Sequence, residues 1–359
     1  MKKLFCVLVL VAFQLYACVN STYSRLDEKR ITNDLAYIVM GQFAHRSPEF
    51  YRFQAKEAIS ILLNDDSNFF ARNDLAVAYI KLGNYRKAED ELKKNEELHP
   101  GKYETAANFG VLYKKKQDFA KAAEYIEKSL EIKSEGHMGL GDYYLKMCKS
   151  LASDDPTVNF LGVAYDAKAQ ENAEIANKEY LISLIKNDYM FADAYLILGD
   201  VLYLEGDYQL AALAYGRAYN LEGSMNIHSK VKLLREQWLK HKQSGEVVED
   251  RHKLYRSIGR PSQQAQVWVE EFKRVDAELI ERTGEAKSID SVLQEMEKQE
   301  VYRELPLTVG IYKGYRLDAG AIFFGAWITV IVIIILLIIR QRIKKKSKAQ
   351  KSLNEQELN

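Results

Sequence analysis

Through its middle, the chain repeats itself every 34 residues. Leu75-Ala76-Val77-Ala78-Tyr79 returns as Phe109-Gly110-Val111-Leu112-Tyr113, and the register persists from Tyr85 to Phe119, Ala88 to Ala122 and Leu92 to Ile126. A third copy supplies Leu198-Gly199, Gly206, Tyr208, Ala211, Tyr215, Ala218 and Leu221. A unit this short cannot bury its own apolar face, so successive copies must stack into one continuous core. The residue types fit two packed helices per unit. Ala76, Gly110 and Gly199 let the first helix approach its neighbour closely, and Ala88, Ala122 and Ala211 do so for the second. Tyr85, Phe119 and Tyr208 fill the space between them. Lys81-Leu82-Gly83-Asn84 and Leu204-Glu205-Gly206-Asp207 are turn-forming links inside a pair.

These positions resemble the tetratricopeptide repeat. The resemblance implies an all-α fold, a helix-turn-helix solenoid over residues 69–224. It also implies that the first helices line a concave groove for an extended peptide or a partner's helix. Transferring the register gives Asn73, Val77, Ile80 and Lys81 in the first unit, then Ala107, Asn108, Val111, Lys114 and Lys115. The third unit gives Leu196, Asp200 and Tyr203. Asn108 resembles the asparagine that holds a peptide backbone in peptide-binding members of the family. Lys81, Lys114 and Lys115 would suit an acidic segment or a C-terminal carboxylate; the competing reading is a solvated surface. The two-carboxylate clamp of chaperone-binding members is not evident.

The array has one irregularity. Gly110 and Gly199 are 89 residues apart, two units plus 21. Leu140-Gly141-Asp142-Tyr143-Tyr144 reads as the first helix of the missing unit, and residues 176–185 as its second. The surplus falls at 149–171, where Ser153-Asp154-Asp155-Pro156 breaks the helix and Asn159-Phe160-Leu161-Gly162 suggests a partial one. An insert of this kind is either a binding-face element or a tolerated surface loop. Upstream, residues 22–68 read as a degenerate helical pair, with Arg46-Ser47-Pro48-Glu49 opening its second helix. Downstream, residues 225–304 carry two apolar stripes: Ile227, Val231, Leu234 and Trp238, then Trp268, Phe272, Val275 and Leu279. They suit helices capping the solenoid, or short coiled-coil seams. Gln243-Ser244-Gly245 and Gly259-Arg260-Pro261 mark loops. Pro306, Gly310 and Gly314 make residues 305–318 an extended connector.

The two ends read as membrane-targeting segments. Lys2 and Lys3 precede an apolar run at 4–13, so residues 1–21 form an export signal. Leu15-Tyr16-Ala17-Cys18 resembles a lipobox that would lipidate Cys18, although Tyr16 departs from the usual pattern; Val19-Asn20-Ser21 offers ordinary cleavage after Ser21. Residues 319–339 hold no charge and span about 31 Å as a helix, matching a ~30 Å hydrocarbon core. Arg340, Arg342, Lys344, Lys345, Lys346, Lys348 and Lys351 follow, which keeps the tail at 340–359 inside. That tail suits an anionic lipid surface, or serves only to stop transfer. The expected product is a single-pass protein of the bacterial cytoplasmic membrane with a periplasmic body.

Composition and motifs narrow the function. The 51 basic and 50 acidic residues nearly cancel, but this topology divides them into a body of about −6 and a tail of about +5. An acidic body does not seek nucleic acid. His45, His99, His137, His228, His241 and His252 are scattered, without ligand spacing. Gly139-Leu140-Gly141 lacks the strand and third glycine of a phosphate loop. The S-x-x-K matches at Ser183 and Ser229 have no companion motif. Cys148 reads as a packing thiol. No cofactor is implied. The expectation is a non-enzymatic, membrane-anchored scaffold whose groove binds a protein or peptide. The alternative is a sensor relaying outside binding through the span to a cytoplasmic partner of the basic tail.

Overall fold

A computed structural model describes residues 34–136, 140–153, 155–222, 229–230, 232–234, 236 and 251–302. The expected signal with Cys18, the connector, the apolar span and the basic tail lie outside them, as do Gln243-Ser244-Gly245, Ile227, Val231 and Trp238. Among the described residues no helix is long and apolar enough to cross a membrane. The described fold is all-α. Its helices are α1 (Leu35–Met40), α2 (Pro48–Asn64), α3 (Phe69–Lys81), α4 (Tyr85–Leu98), α5 (Tyr103–Lys115), α6 (Phe119–Ile132) and α7 (Leu140–Ser153). They continue as α8 (Ala169–Ile175), α9 (Lys178–Asn187), α10 (Ala192–Leu204), α11 (Tyr208–Leu221), α12 (Arg251–Thr283) and α13 (Ile289–Lys298).

The helix starts follow from local chemistry. Ser47, Asn68, Asp118, Asn177, Asp207 and Ser288 each turn a side-chain oxygen onto a first-turn amide of the helix they precede. This satisfies donors that the helix itself cannot. The links inside the pairs share one geometry. Asn84 N donates to Tyr79 O at 2.8 Å, Asp118 N to Tyr113 O at 2.9 Å and Asp207 N to Leu202 O at 3.0 Å. Each such closure needs a left-handed residue just before it. Gly83 (φ 75°) and Gly206 (φ 84°) meet that need, but the second unit places Gln117 there, at φ 62°.

The pairs α3–α4, α5–α6 and α10–α11 pack as the 34-residue register requires, and α6 hands on to α7. One continuous apolar core runs from Ile80 and Phe109 through Tyr143, Leu181 and Tyr195 to Tyr215. The close approach is literal at Gly199, where an added Cβ would stand 2.5 Å from the Tyr215 ring.

Three segments depart from the expectations. Asn159-Phe160-Leu161-Gly162 is a turn, not a partial helix, because Asn159 Oδ1 captures Leu161 N at 2.9 Å and diverts the backbone. From Asp155 the surplus stays non-helical until its last three residues, which open a short helix, α8, that packs on α10. Upstream, α1 is not the hairpin partner of α2. Gly41 ends it in the left-handed region after six residues, and it packs on α9, α11 and α12. Downstream, helix α12 runs straight through Gly259-Arg260-Pro261, expected to be a loop. Proline costs an interior helix one backbone bond, and the long apolar face beyond it offsets that loss. Trp268, Phe272, Val275 and Leu279 are buried against Ile289, Val292 and Met296 of α13 and against Ala44. That stripe is covered from within the chain.

Candidate interaction surface

The twelve residues expected to line a groove separate into three groups. Asn73, Val77, Ile80, Ala107, Asn108, Val111, Leu196 and Asp200 are buried. The first helix α3 packs on the next first helix, α5, and the short helix α8 packs on α10, which draws these positions inward. Asn108, expected to hold a ligand's backbone, donates Nδ2 to Asn73 Oδ1 at 2.8 Å instead. Lys114 and Tyr203 are half-buried. Lys114 pairs with Asp188, across from α5 to the link before α10, with its ammonium 5.9 Å from the centre of the Tyr144 ring. Tyr203 lies against Tyr208. Only Lys81 and Lys115 are exposed.

These two occupy equivalent places, the last residues of α3 and α5. Lys81 Nζ stands 6.0 Å from the Tyr51 ring centre. Lys115 has no ion-pair or hydrogen-bond partner among the described residues. Its side chain reaches water, yet the atoms crowding around it desolvate the ammonium and push its pKa below the usual lysine value. A cation held without a counter-charge in a partly walled position favours an incoming carboxylate.

The insert is a built element. Asp193, near the start of α10, accepts Phe160 N at 2.9 Å and the Tyr165 hydroxyl at 2.8 Å. Burial pushes its carboxyl up to about 6, although both hydrogen bonds pull the other way. Beneath it, Asn159 donates to Asn172, Asn172 donates to Asp200 at 2.7 Å, and Tyr215 donates to the other oxygen of Asp200 at 2.6 Å. Lys230 completes the set, 2.8 Å from Asp200 and 3.0 Å from Ala167 O. Asp200, expected in the groove, is thus committed to an interior network. Cys148 is buried too, which pushes its thiol up to about 12 and leaves no thiolate near neutrality. No group of acidic, histidine or cysteine side chains among the described residues could hold a metal ion.

The register missed these interior partners. One signal was present: Asp193 and Asp200 interrupt an otherwise apolar helix, and a buried carboxylate demands partners. Nothing in the local sequence pointed to Asn159 or Lys230 as those partners.

Two family models described as the tetratricopeptide repeat match the chain, one over residues 103–135 and the other over residues 163–222. No curated protein matches it. The first match covers α5 and α6, and the second covers α8 to α11 with the end of the insert. Repeats of this family are protein-interaction modules and typically carry no catalysis. Residues 103–135 and 163–222 are thus tetratricopeptide repeats, set within an array whose described fold is an all-α solenoid.

Proposed function

We infer that the chain is a non-enzymatic scaffold, exported behind residues 1–21 and held in the membrane by residues 319–339. Its array recruits an acidic segment of another protein. One observation carries the recruiting surface: Lys81 and Lys115 close successive first helices one repeat apart, both exposed, and Lys115 is desolvated without a counter-charge among the described residues. Repetition of a cation at the repeat spacing suits an extended ligand that touches both units. Lys114 drops out of this surface because Asp188 already neutralises it.

In-cell crosslinking of the full-length protein, followed by mass spectrometry, tests the reading against a Lys81→Glu/Lys115→Glu variant. A partner with an acidic segment, present with the parent chain and lost from the variant, supports it. A partner list unchanged by the two charge reversals removes these lysines from recruitment.

A further inference from the structure

The stretch 34–47 lies in the fold as a bound peptide does, although it belongs to the chain. Its helix α1 is six residues long, too short to persist alone in water, and it takes its packing partners from α9, α11 and α12. Ile38, Val39 and Met40 are buried there. After Gly41 the backbone forms neither helix nor strand, yet Gln42, Phe43 and Ala44 are buried. Phe43 meets the Tyr189 ring edge-on at 6.4 Å, and the His45 ring lies 4.6 Å from the same tyrosine. The far end is a charged anchor. Asp276 of α12 accepts Arg46 Nη1 at 2.7 Å, Ser47 N at 2.9 Å and Ser47 Oγ at 2.8 Å. Both charged side chains of that pair are closed to water.

An apolar helical turn, an aromatic plug and a cation on a buried carboxylate are the elements by which a groove recognises a short peptide. We propose that the seat formed by α9, α11 and α12 is a second protein-binding site, that residues 35–47 are its built-in occupant, and that it accepts a partner segment of the same chemistry. That segment is a short apolar helix followed closely by an arginine that pairs with Asp276. The proposal rests on the reading that the array recruits other proteins, and adds regulation to it: the seat is shut until the chain's own segment leaves. A ligand already present in cis competes at high effective concentration, so the closed chain binds the same segment in trans only weakly.

Two measurements on the full chain decide it, and neither depends on Lys81 or Lys115. Hydrogen exchange of the parent protein comes first. Amides of 38–43 that exchange through an opening which leaves α5 and α6 protected support the proposal. Exchange of 38–43 only together with α5 and α6 makes the segment a fixed part of the fold and overturns it. The second is titration of a labelled synthetic peptide of residues 35–47. Arg46→Gln loosens the resident segment while leaving Asp276 in the seat, so this variant should bind the peptide at least about tenfold more tightly than the parent does. A peptide carrying glutamine in place of its arginine should lose that gain. Equal or undetectable binding to a folded Arg46→Gln chain overturns the proposal. If circular dichroism shows that variant unfolded, the exchange measurement alone decides. Loss of this binding with partner capture through Lys81 and Lys115 intact would discard the second site and leave the scaffold reading standing.

Discussion

Lys230 Nζ stands 2.8 Å from Asp200 Oδ2, with both side chains closed to water. The pair joins a residue beyond the last repeat to the middle of α10, and Asn172 and Tyr215 satisfy the rest of the carboxylate. A buried pair of this kind does not owe its place to net stabilisation, because desolvation consumes much of the attraction. Its removal by halves is what hurts. Lys230→Met should destabilise the chain by about 3–5 kcal/mol, because it strands a buried carboxylate. The double variant Lys230→Met/Asp200→Leu should lose clearly less. Urea unfolding of the three chains checks this, and equal losses in the single and double variants would discard the charge argument.

Gln117 occupies a left-handed turn position that Gly83 and Gly206 fill in the other units. A non-glycine residue pays about 1 kcal/mol or more for that conformation. Gln117→Gly should therefore stabilise the protein by roughly 0.5–1 kcal/mol, net of the entropy that glycine returns to the unfolded chain. Gly83→Gln should cost a similar amount. Paired thermal melts read both, and a destabilised Gln117→Gly chain would mean that the side chain contributes more than the turn costs.

Gly199→Ala should destabilise by about 1–3 kcal/mol, the usual range for overpacking a filled core. The methyl group would press on the Tyr215 ring, which is pinned by its 2.6 Å hydrogen bond to Asp200. Trimming the ring should rescue it, so Gly199→Ala/Tyr215→Leu should be less than the sum of the two single changes. Additive losses in a double-mutant cycle would show that the ring moves aside freely.

Asp193 has its carboxyl raised to about 6 by burial. A raised acid opposes folding when ionised, so its penalty is complete above pH 6 and relieved as pH falls toward its ordinary value near 4. Glu89 acts in the opposite sense. Lys116 and Lys93 hold its carboxyl at about 2, so its stabilising share is present above the ordinary glutamate value and lost as pH falls toward 2. Urea midpoints measured from pH 7 to pH 5 should therefore show a contribution that rises on acidification in the parent chain and vanishes in Asp193→Asn. An identical profile in the two chains would remove Asp193 as its source.

The repeat core was legible because its determinants are local and periodic. Gly110, Ala122 and Ile126 each recur one period from a counterpart, and the packing they dictate is between sequence neighbours. The second turn was harder, because Gln117 stands where the glycine signal should be. The helix through Pro261 was illegible for a different reason: an apolar face downstream outweighs a local breaker, and only tertiary contact reveals that. The surface was least legible. Register transfer assigns positions to a face, but whether that face stays open depends on what packs across it. Asp200 is claimed by Lys230, and Lys114 by Asp188, through contacts that no period encodes. Arg46 and Asp276 lie 230 positions apart, with nothing in either neighbourhood naming the other.

An open array of repeats frays from its ends, because each terminal unit touches only one neighbour and unfolds nearly independently. The grip of α12 on both α2 and α11 ties the first described helices to the last repeat, so neither end can peel away without breaking contacts at the other. Such closure turns a chain of semi-independent steps into a single cooperative transition. It also slows folding, because contacts across so long a loop form late. Releasing the Arg46–Asp276 pair therefore changes how the molecule melts as well as what it exposes: one sharp transition should broaden into staged unfolding that begins at α2.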